Sequence, residues 1–238
     1  PGFVDSSSLV FACSYSGNTE ETLSAYKQAR EAKASIVCIT SGGRLQSMAN
    51  ADGYPVIKLP GGLPPRAALG HALIALMSAM QGMQILPNLA ESFEEAVAVL
   101  QKLRSQYGTQ NPESGNPAKK LAHSLSGKVV AVYGSTGIME SAAYRWRSQI
   151  AENAKNLALH HVLPEMNHNE LVGWLYPKAA LLNIGVVFLR DKGDHPQIQR
   201  RFDLTQSLIA GKAGALHEIW SEGHSLLARA LSVVYLGD

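Results

Sequence analysis

The sequence predicts an α/β fold built on parallel sheets and laid out in two similar halves. Three observations carry this. Short apolar runs of strand length alternate with segments whose apolar residues recur at helical spacing. Their separations are those of strand–helix–strand units, whose crossovers make neighbouring strands parallel. A strand that runs into a Ser/Thr/Gly loop and then a helix occurs twice, at Cys13 and at Tyr133. A chain of 238 residues, 46% hydrophobic and 17% charged, is long enough for two modest α/β domains with proper cores.

Leu9-Val10-Phe11-Ala12-Cys13 is the first strand, and after the loop at residues 14–22 the apolar residues Leu23, Tyr26 and Ala29 mark the first helix. Residues 35–40 make a second strand, Gly42-Gly43 a turn, residues 45–51 a short helix and residues 54–59 a third strand. The loop Pro60-Gly61-Gly62-Leu63-Pro64-Pro65 then breaks the pattern before a long helix over residues 67–86, with Arg66 at its entrance. That helix is the longest apolar stretch, yet Gly70, His71, Ser78, Gln81, Gly82 and Gln84 make it too polar for a membrane span. It reads as a helix buried between domains or subunits. A further helix at 89–107 leads into residues 108–117, which lack any apolar anchor and mark the expected linker between domains 1–107 and 118–238.

The second half begins again in the same style, with a strand at 128–133, the turn Gly134-Ser135-Thr136-Gly137 and a helix at 138–156. Further strands are expected at 157–161, 183–189 and 213–219, and helices at 196–210 and 222–236. In parallel sheets ligands sit outside the carboxyl ends of the strands, so each half offers a site there.

Composition excludes several classes of partner. Lys and Arg total 21 against 19 Asp and Glu, and their scatter along the chain argues against nucleic acid. Cys13 and Cys38 both fall in apolar strand-like runs, as small buried thiols do, which points to a reducing, cytoplasmic compartment. No basic-apolar-small signal pattern opens the chain, and no membrane partner is expected.

The stretch Ser14-Tyr15-Ser16-Gly17-Asn18-Thr19-Glu20-Glu21-Thr22 converts a buried strand into a helix through a loop crowded with hydroxyls. Unpaired backbone N–H groups and the positive end of the helix dipole favour an anion there, and Ser14, Ser16 and Thr19 add neutral donors. Glycine at 17 lets the backbone approach closely. Thr19 before Glu20 and Glu21 is also an ordinary helix start, a hydroxyl N-cap with acids in the first turn. Capping alone does not explain three hydroxyls and a glycine directly behind a strand. The loop matches neither G-x-x-x-x-G-K-[ST] nor G-x-G-x-x-G, so a nucleotide is not its natural ligand.

This loop resembles that of sugar isomerase (SIS) domains. Pro65-Arg66-Ala67-Ala68-Leu69, Gln149-Ile150-Ala151-Glu152-Asn153-Ala154-Lys155 and Leu163-Pro164-Glu165-Met166-Asn167-His168-Asn169-Glu170 are similar to segments of the bifunctional phosphoglucose/phosphomannose isomerases of archaea and bacteria. The resemblance covers nearly the whole chain. It implies two SIS-type domains, each a parallel sheet between helices in three layers, and a cytoplasmic homodimer with sites at the subunit boundary. Members of that family usually start with a further strand and a Gly-Gly-Ser loop, and end in a last helix carrying a Thr and a Lys. On this resemblance the first domain is expected to lack its first strand and the second its last helix, as in a fragment, folded but inactive if those ends are needed.

Isomerisation of an aldose to a ketose moves a proton between adjacent carbons through a cis-enediol. It needs a base that works near neutral pH, a way to open the sugar ring, and positive charge near the enediolate. The resemblance gives Glu152 the proton transfer between C2 and C1, His168 the ring opening and Arg66 the enediolate. Each has a plainer reading: a solvated glutamate on a helix face, a surface arginine at a helix start, and a histidine that with Glu165, Glu170, His160 and His161 could hold a metal. No H-x-x-x-H or paired cysteines support the metal, so neither metal nor cofactor is expected. Glu152 near a helix end and His168 after the next strand are both expected to reach a strand-end crevice, on one subunit or on two different ones. Arg145, seven residues before Glu152, reads equally as its ion-pair partner or as a substrate contact.

The expected function is a metal-independent isomerase of glucose 6-phosphate, and of mannose 6-phosphate, with fructose 6-phosphate. The alternative is a non-catalytic sugar-phosphate-binding module, which would need the hydroxyl loop but not Glu152 and His168.

Overall fold

The computed structural model describes residues 2–238, and they fall into two compact units, one ending at Leu89 and the other spanning Ala90–Asp238. In the first, β1 (Leu9–Cys13), β2 (Ser35–Thr40) and β3 (Val56–Lys58) form a parallel sheet in the order β1-β2-β3. Helices α1 (Glu20–Glu31) and α2 (Gly43–Asp52) are its crossovers, and a 3₁₀ turn, Pro65–Ala68, leads into α3 (Leu69–Gly82). Ile36 and Cys38 pack with Ala12, Leu23, Tyr26, Ala29, Leu45 and Ala49 in one cluster. Val37 and Ile39, on the opposite face by the pleat, are buried too. Burial on both faces is why β2 reads as an unbroken apolar run.

Two expectations for this unit are corrected. Cys38 is buried as expected, but Cys13 is exposed, because it is the last residue of β1 where the chain leaves the sheet. The helix expected over 67–86 is shorter, and none of its residues in α3 is buried. Its apolar composition is real, but within the chain its faces stay half-exposed, Ile74 among them.

The second unit contains α4 (Ala90–Tyr107), α5 (Pro117–Leu125), β4 (Val129–Ser135), α6 (Ile138–Gln149), β5 (Ala158–Leu163), α7 (Glu165–His168), α8 (Lys178–Leu181), β6 (Ile184–Arg190), α9 (Pro196–Ile209), β7 (Ala215–Trp220) and α10 (Leu226–Gly237). Its parallel sheet runs β5-β4-β6-β7. Alternate residues of β4 and β6 feed two cores. Val130, Val132, Val187 and Leu189 meet Met139, Ala142 and Trp146 of α6, while Ala131, Tyr133, Val186 and Phe188 meet Phe202 and Ile209 of α9. Each fully buried side chain of this kind contributes about 1.5–3 kcal/mol. The guanidinium of Arg190, buried at the end of β6, lies 4.9 Å from the Phe202 ring and 4.5 Å from that of Trp220, and pairs with Asp203 and Glu218. Such aromatic and carboxylate company is what makes a buried arginine tolerable.

The division between units differs from the linker expected at 108–117. Helix α4 packs along α10 and so belongs to the second unit. The polar stretch is a pinned turn: buried Asn116 donates through Nδ2 to the carbonyls of Tyr107 and Gly108, both at 3.1 Å, and its Oδ1 caps α5 by accepting from the Lys119 N–H at 3.2 Å. Polarity there reflects a backbone-satisfying asparagine, not a tether. No helix among the described residues is long and apolar enough to cross a membrane.

Glu95 of α4 clasps the start of α10, accepting from the N–H groups of His224 at 2.6 Å and Ser225 at 2.8 Å. The Ser225 hydroxyl foremost, and then these backbone bonds, hold its carboxyl at about 2 against an ordinary 4.5. A depressed folded value means stability that is present above the unfolded value and lost as pH falls. Glu95→Gln is therefore expected to melt below wild type at neutral pH, and the gap should close between pH 4.5 and about 2 in a pH series of thermal melts.

Candidate active site

The hydroxyl loop of the first unit folds into a closed set of hydrogen bonds. Thr19 stands at the N-cap of α1, but its hydroxyl makes no cap bond and instead meets the Ser14 hydroxyl at 2.8 Å. The plain capping reading of Thr19 therefore fails. Buried Ser14 also accepts from the Gly17 N–H at 3.1 Å, and Ser16 accepts from the Asn18 N–H at 3.2 Å. Ser16 and Thr19 are exposed at the loop's mouth, so Ser14, Ser16 and Thr19 line one hydroxyl-rich turn at a helix start. Such a turn presents neutral donors where the dipole favours an anion.

A second loop backs the first. Gly17 has φ +67° and lies so close to Gly42 that a Cβ would stand 1.8 Å from the Gly42 carbonyl oxygen. The Leu45 N–H donates to the Gly17 carbonyl at 2.8 Å, and the Arg44 N–H to Asn18 Oδ1 at 3.1 Å. Tyr15 reaches the other way: its hydroxyl donates to the Pro60 carbonyl and accepts from the Leu63 N–H, each at 2.9 Å. The loop so tied runs directly into the 3₁₀ turn where Arg66 stands exposed. Tyr15 and Asn18 are supporting residues that the sequence reading passed over, although both lie inside the motif it singled out.

The matching loop of the second unit is a different object. Buried Ser135 donates its hydroxyl to Asp194 Oδ1 at 2.7 Å, and Thr136 donates to the Leu163 carbonyl at 3.1 Å. Burial pushes the Asp194 carboxyl upward. A carboxyl is thus already seated at this turn, where the first unit's turn carries only hydroxyls, so the two halves offer different strand-end loops.

Glu152 is exposed on a π-helical segment, Ile150–Ala154, which replaces the end of the helix expected over 138–156. Lys155, which closes it, is left-handed at φ +56° and donates to the Glu152 carbonyl oxygen. π-helical turns and left-handed non-glycine residues concentrate at functional positions. Arg145 pairs with Asp238.

His168 is the exposed last residue of α7. Helix α6 runs from the carboxyl end of β4 back to the amino end of β5, so Glu152 lies before that strand and His168 after it. The Asn156 side chain confirms the placement by donating 2.7 Å to the carbonyl of Lys128, just ahead of β4. Six residues of strand separate the ends by about 20 Å. Glu152 and His168 of one chain therefore do not share a strand-end crevice, which corrects the expectation for a single subunit and leaves untouched its other form, with the two residues on different subunits. As to metal, among the described residues no three His, Cys, Asp or Glu side chains converge.

Residues 114–238 match the family described as the bacterial phospho-glucose isomerase C-terminal SIS domain. The whole chain is 45% identical to a bifunctional phosphoglucose/phosphomannose isomerase of Caldicellulosiruptor bescii and 36% identical to one of Aquifex aeolicus, covering 70% of each. A D-glucosamine-6-phosphate 4-epimerase of Sulfolobus acidocaldarius is 32% identical over 71% of this chain and 51% of its own length. Among solved structures, a glucose-6-phosphate isomerase like protein of Thermus thermophilus superposes with a TM-score of 0.69 at 19% identity, over 96% of this chain and 70% of that one. Tagatose-6-phosphate ketose/aldose isomerase of Escherichia coli gives 0.68 at 14%, over 99% and 68%. These structural likenesses establish the α/β fold with parallel sheets.

Proposed function

Because the chain belongs to the bifunctional phosphoglucose/phosphomannose isomerase family, we propose that it interconverts glucose 6-phosphate, and mannose 6-phosphate, with fructose 6-phosphate through a cis-enediol, without a metal. The turn of Ser14, Ser16 and Thr19 holds the phosphate. Arg66 faces the enediolate, where a fixed cation favours the developing charge. Glu152 carries the proton between C2 and C1, and His168 assists the opening of the ring by proton transfer at its oxygen.

The observation that carries the enzymatic reading over a binding module is the setting of Glu152. A module that only senses a sugar phosphate has no use for a carboxylate exposed on a π-helical turn closed by a left-handed lysine. The reading also includes a cytoplasmic homodimer, with Glu152 from one copy and His168 from the other at each site. Two features support it: the opposite ends of β5 that these residues occupy, and the half-exposed apolar faces of α3. Its place in metabolism would be the hexose phosphate step common to glycolysis and gluconeogenesis.

Mixing two crippled variants tests this. Glu152→Gln and His168→Ala, each left with a residual rate of on the order of a hundredth of wild type or less, are expected to regain activity when their subunits are exchanged, because each mixed dimer holds one doubly damaged site and one intact one. Free exchange gives on the order of a quarter of wild-type turnover in a twofold-symmetric dimer. A mixture as inactive as its parents would defeat the shared site.

A further inference from the structure

The turn that carries His168 is tethered on both sides of that residue. Tyr133, 2% exposed on β4, donates its hydroxyl to Glu170 Oε1. Asn167 donates to the Thr205 hydroxyl at 2.6 Å. On the strand side, the Val162 N–H can only donate, so His161 Nδ1, 2.8 Å away, accepts. The His161 proton therefore sits on Nε2, which donates to Asn169 Oδ1 at 3.1 Å, and Asn169 Nδ2 donates in turn to Glu165 Oε1 at 2.9 Å. The side chains at 165, 167, 169 and 170 are all held, while His168 projects to solvent from their midst. Only the Tyr133 tether comes from the middle of the packed sheet, where the ring is wedged against Phe188 at 5.7 Å between centroids. It ties the turn by a hydrogen bond to the same core in which Met166 of the turn is buried.

We propose that Tyr133 is a positioning residue for the isomerisation: through Glu170 it fixes the turn that aims the His168 imidazole at the sugar ring oxygen. This rests on the role given above to His168. A general acid works only within hydrogen-bond reach of its target, and a displacement of one ångström costs on the order of a hundredfold. Tyr133 touches no substrate atom. Its loss should therefore appear in kcat and leave the phosphate-held KM in place.

The test is a double-mutant cycle in the whole protein, with glucose 6-phosphate turnover, KM and melting temperature measured for each variant. Tyr133→Phe is expected to lower kcat ten- to a hundredfold, in the range set by misplacement, with KM and melting temperature little changed. On a His168→Ala background it should lower kcat no further, since the group it positions is gone. Glu170→Gln keeps an acceptor for the Tyr133 hydroxyl and should restore most of the turnover that Glu170→Ala loses. Should Tyr133→Phe fail to fold, Glu170→Ala takes its place in the cycle. Wild-type kcat for Tyr133→Phe, or a loss that multiplies with that of His168→Ala, would overturn the positioning role alone. Wild-type kcat for His168→Ala would overturn the role of His168, and the inference with it.

Discussion

Glu152→Gln is expected to abolish detectable turnover of fructose 6-phosphate while the protein still binds the sugar phosphate nearly as well as wild type. Glutamine keeps the size of the side chain and its hydrogen bonding but has no basic oxygen to receive the carbon-bound proton. Removing a positioned proton-transfer group costs on the order of 10² to 10⁴ in rate. Binding should survive, because the proposed reading gives the phosphate to the Ser14, Ser16 and Thr19 turn and only proton transfer to Glu152. Calorimetric titration with fructose 6-phosphate beside a coupled assay separates the two effects. Turnover close to wild type would remove Glu152 from the chemistry. Equal loss of binding and rate would recast it as a ligand contact.

Gly17→Ala is expected to be the most damaging single-methyl change in the first unit. At φ +67° an L-residue already costs about 1–2 kcal/mol. The added carbon would also stand 1.8 Å from the Gly42 carbonyl oxygen, which is backbone and cannot swing away. The two interlocked loops would have to part, breaking the bond from the Leu45 N–H to the Gly17 carbonyl. A loss on the order of 2–4 kcal/mol of stability follows, with a tenfold or greater fall in affinity for inorganic phosphate, since the hydroxyls lose their common geometry. Gly53→Ala is the control, because its φ is similar at +79° but nothing lies within 4 Å of the added carbon. It should pay the conformational part alone. Equal behaviour of the two variants in denaturant titrations would show that the close approach is unimportant.

What could be read from the sequence follows from how local each feature is. The strands of the second sheet were legible to within two residues, because strands buried on both faces are continuous apolar runs. Ser14, Ser16 and Thr19 were legible because a loop between strand and helix gathers its own neighbours. The apolar stretch at 67–86 announced a helix, shorter in the structure, but composition tells that a helix has apolar faces and not where they are covered. The turn at 108–117 misled because a polar segment pinned by one buried asparagine looks like a linker. The four-residue helices α7 and α8 are too short to show a period. The π-helical turn under Glu152 spans five residues, too few to depart visibly from helical spacing. Side-chain pairs that hold the second unit's loops lie far apart in sequence, Tyr133 with Glu170 by 37 residues and Ser135 with Asp194 by 59. Nothing local announces them. That Glu152 and His168 fall at opposite ends of β5 was implicit in the strand–helix–strand order, but it needed the direction of α6 to be followed through.

The Asp194 carboxyl seated on Ser135 gives the two repeats of this molecule separate fates. In the first, on the proposed reading, the serine after the strand serves an exchangeable guest, and replacing it would alter how tightly that guest is held. In the second, the guest has become part of the chain, delivered by the segment after β6 and bound for the lifetime of the fold. Replacing Ser135 would then register in how the protein unfolds, and one motif would answer to concentration in one half and to temperature in the other.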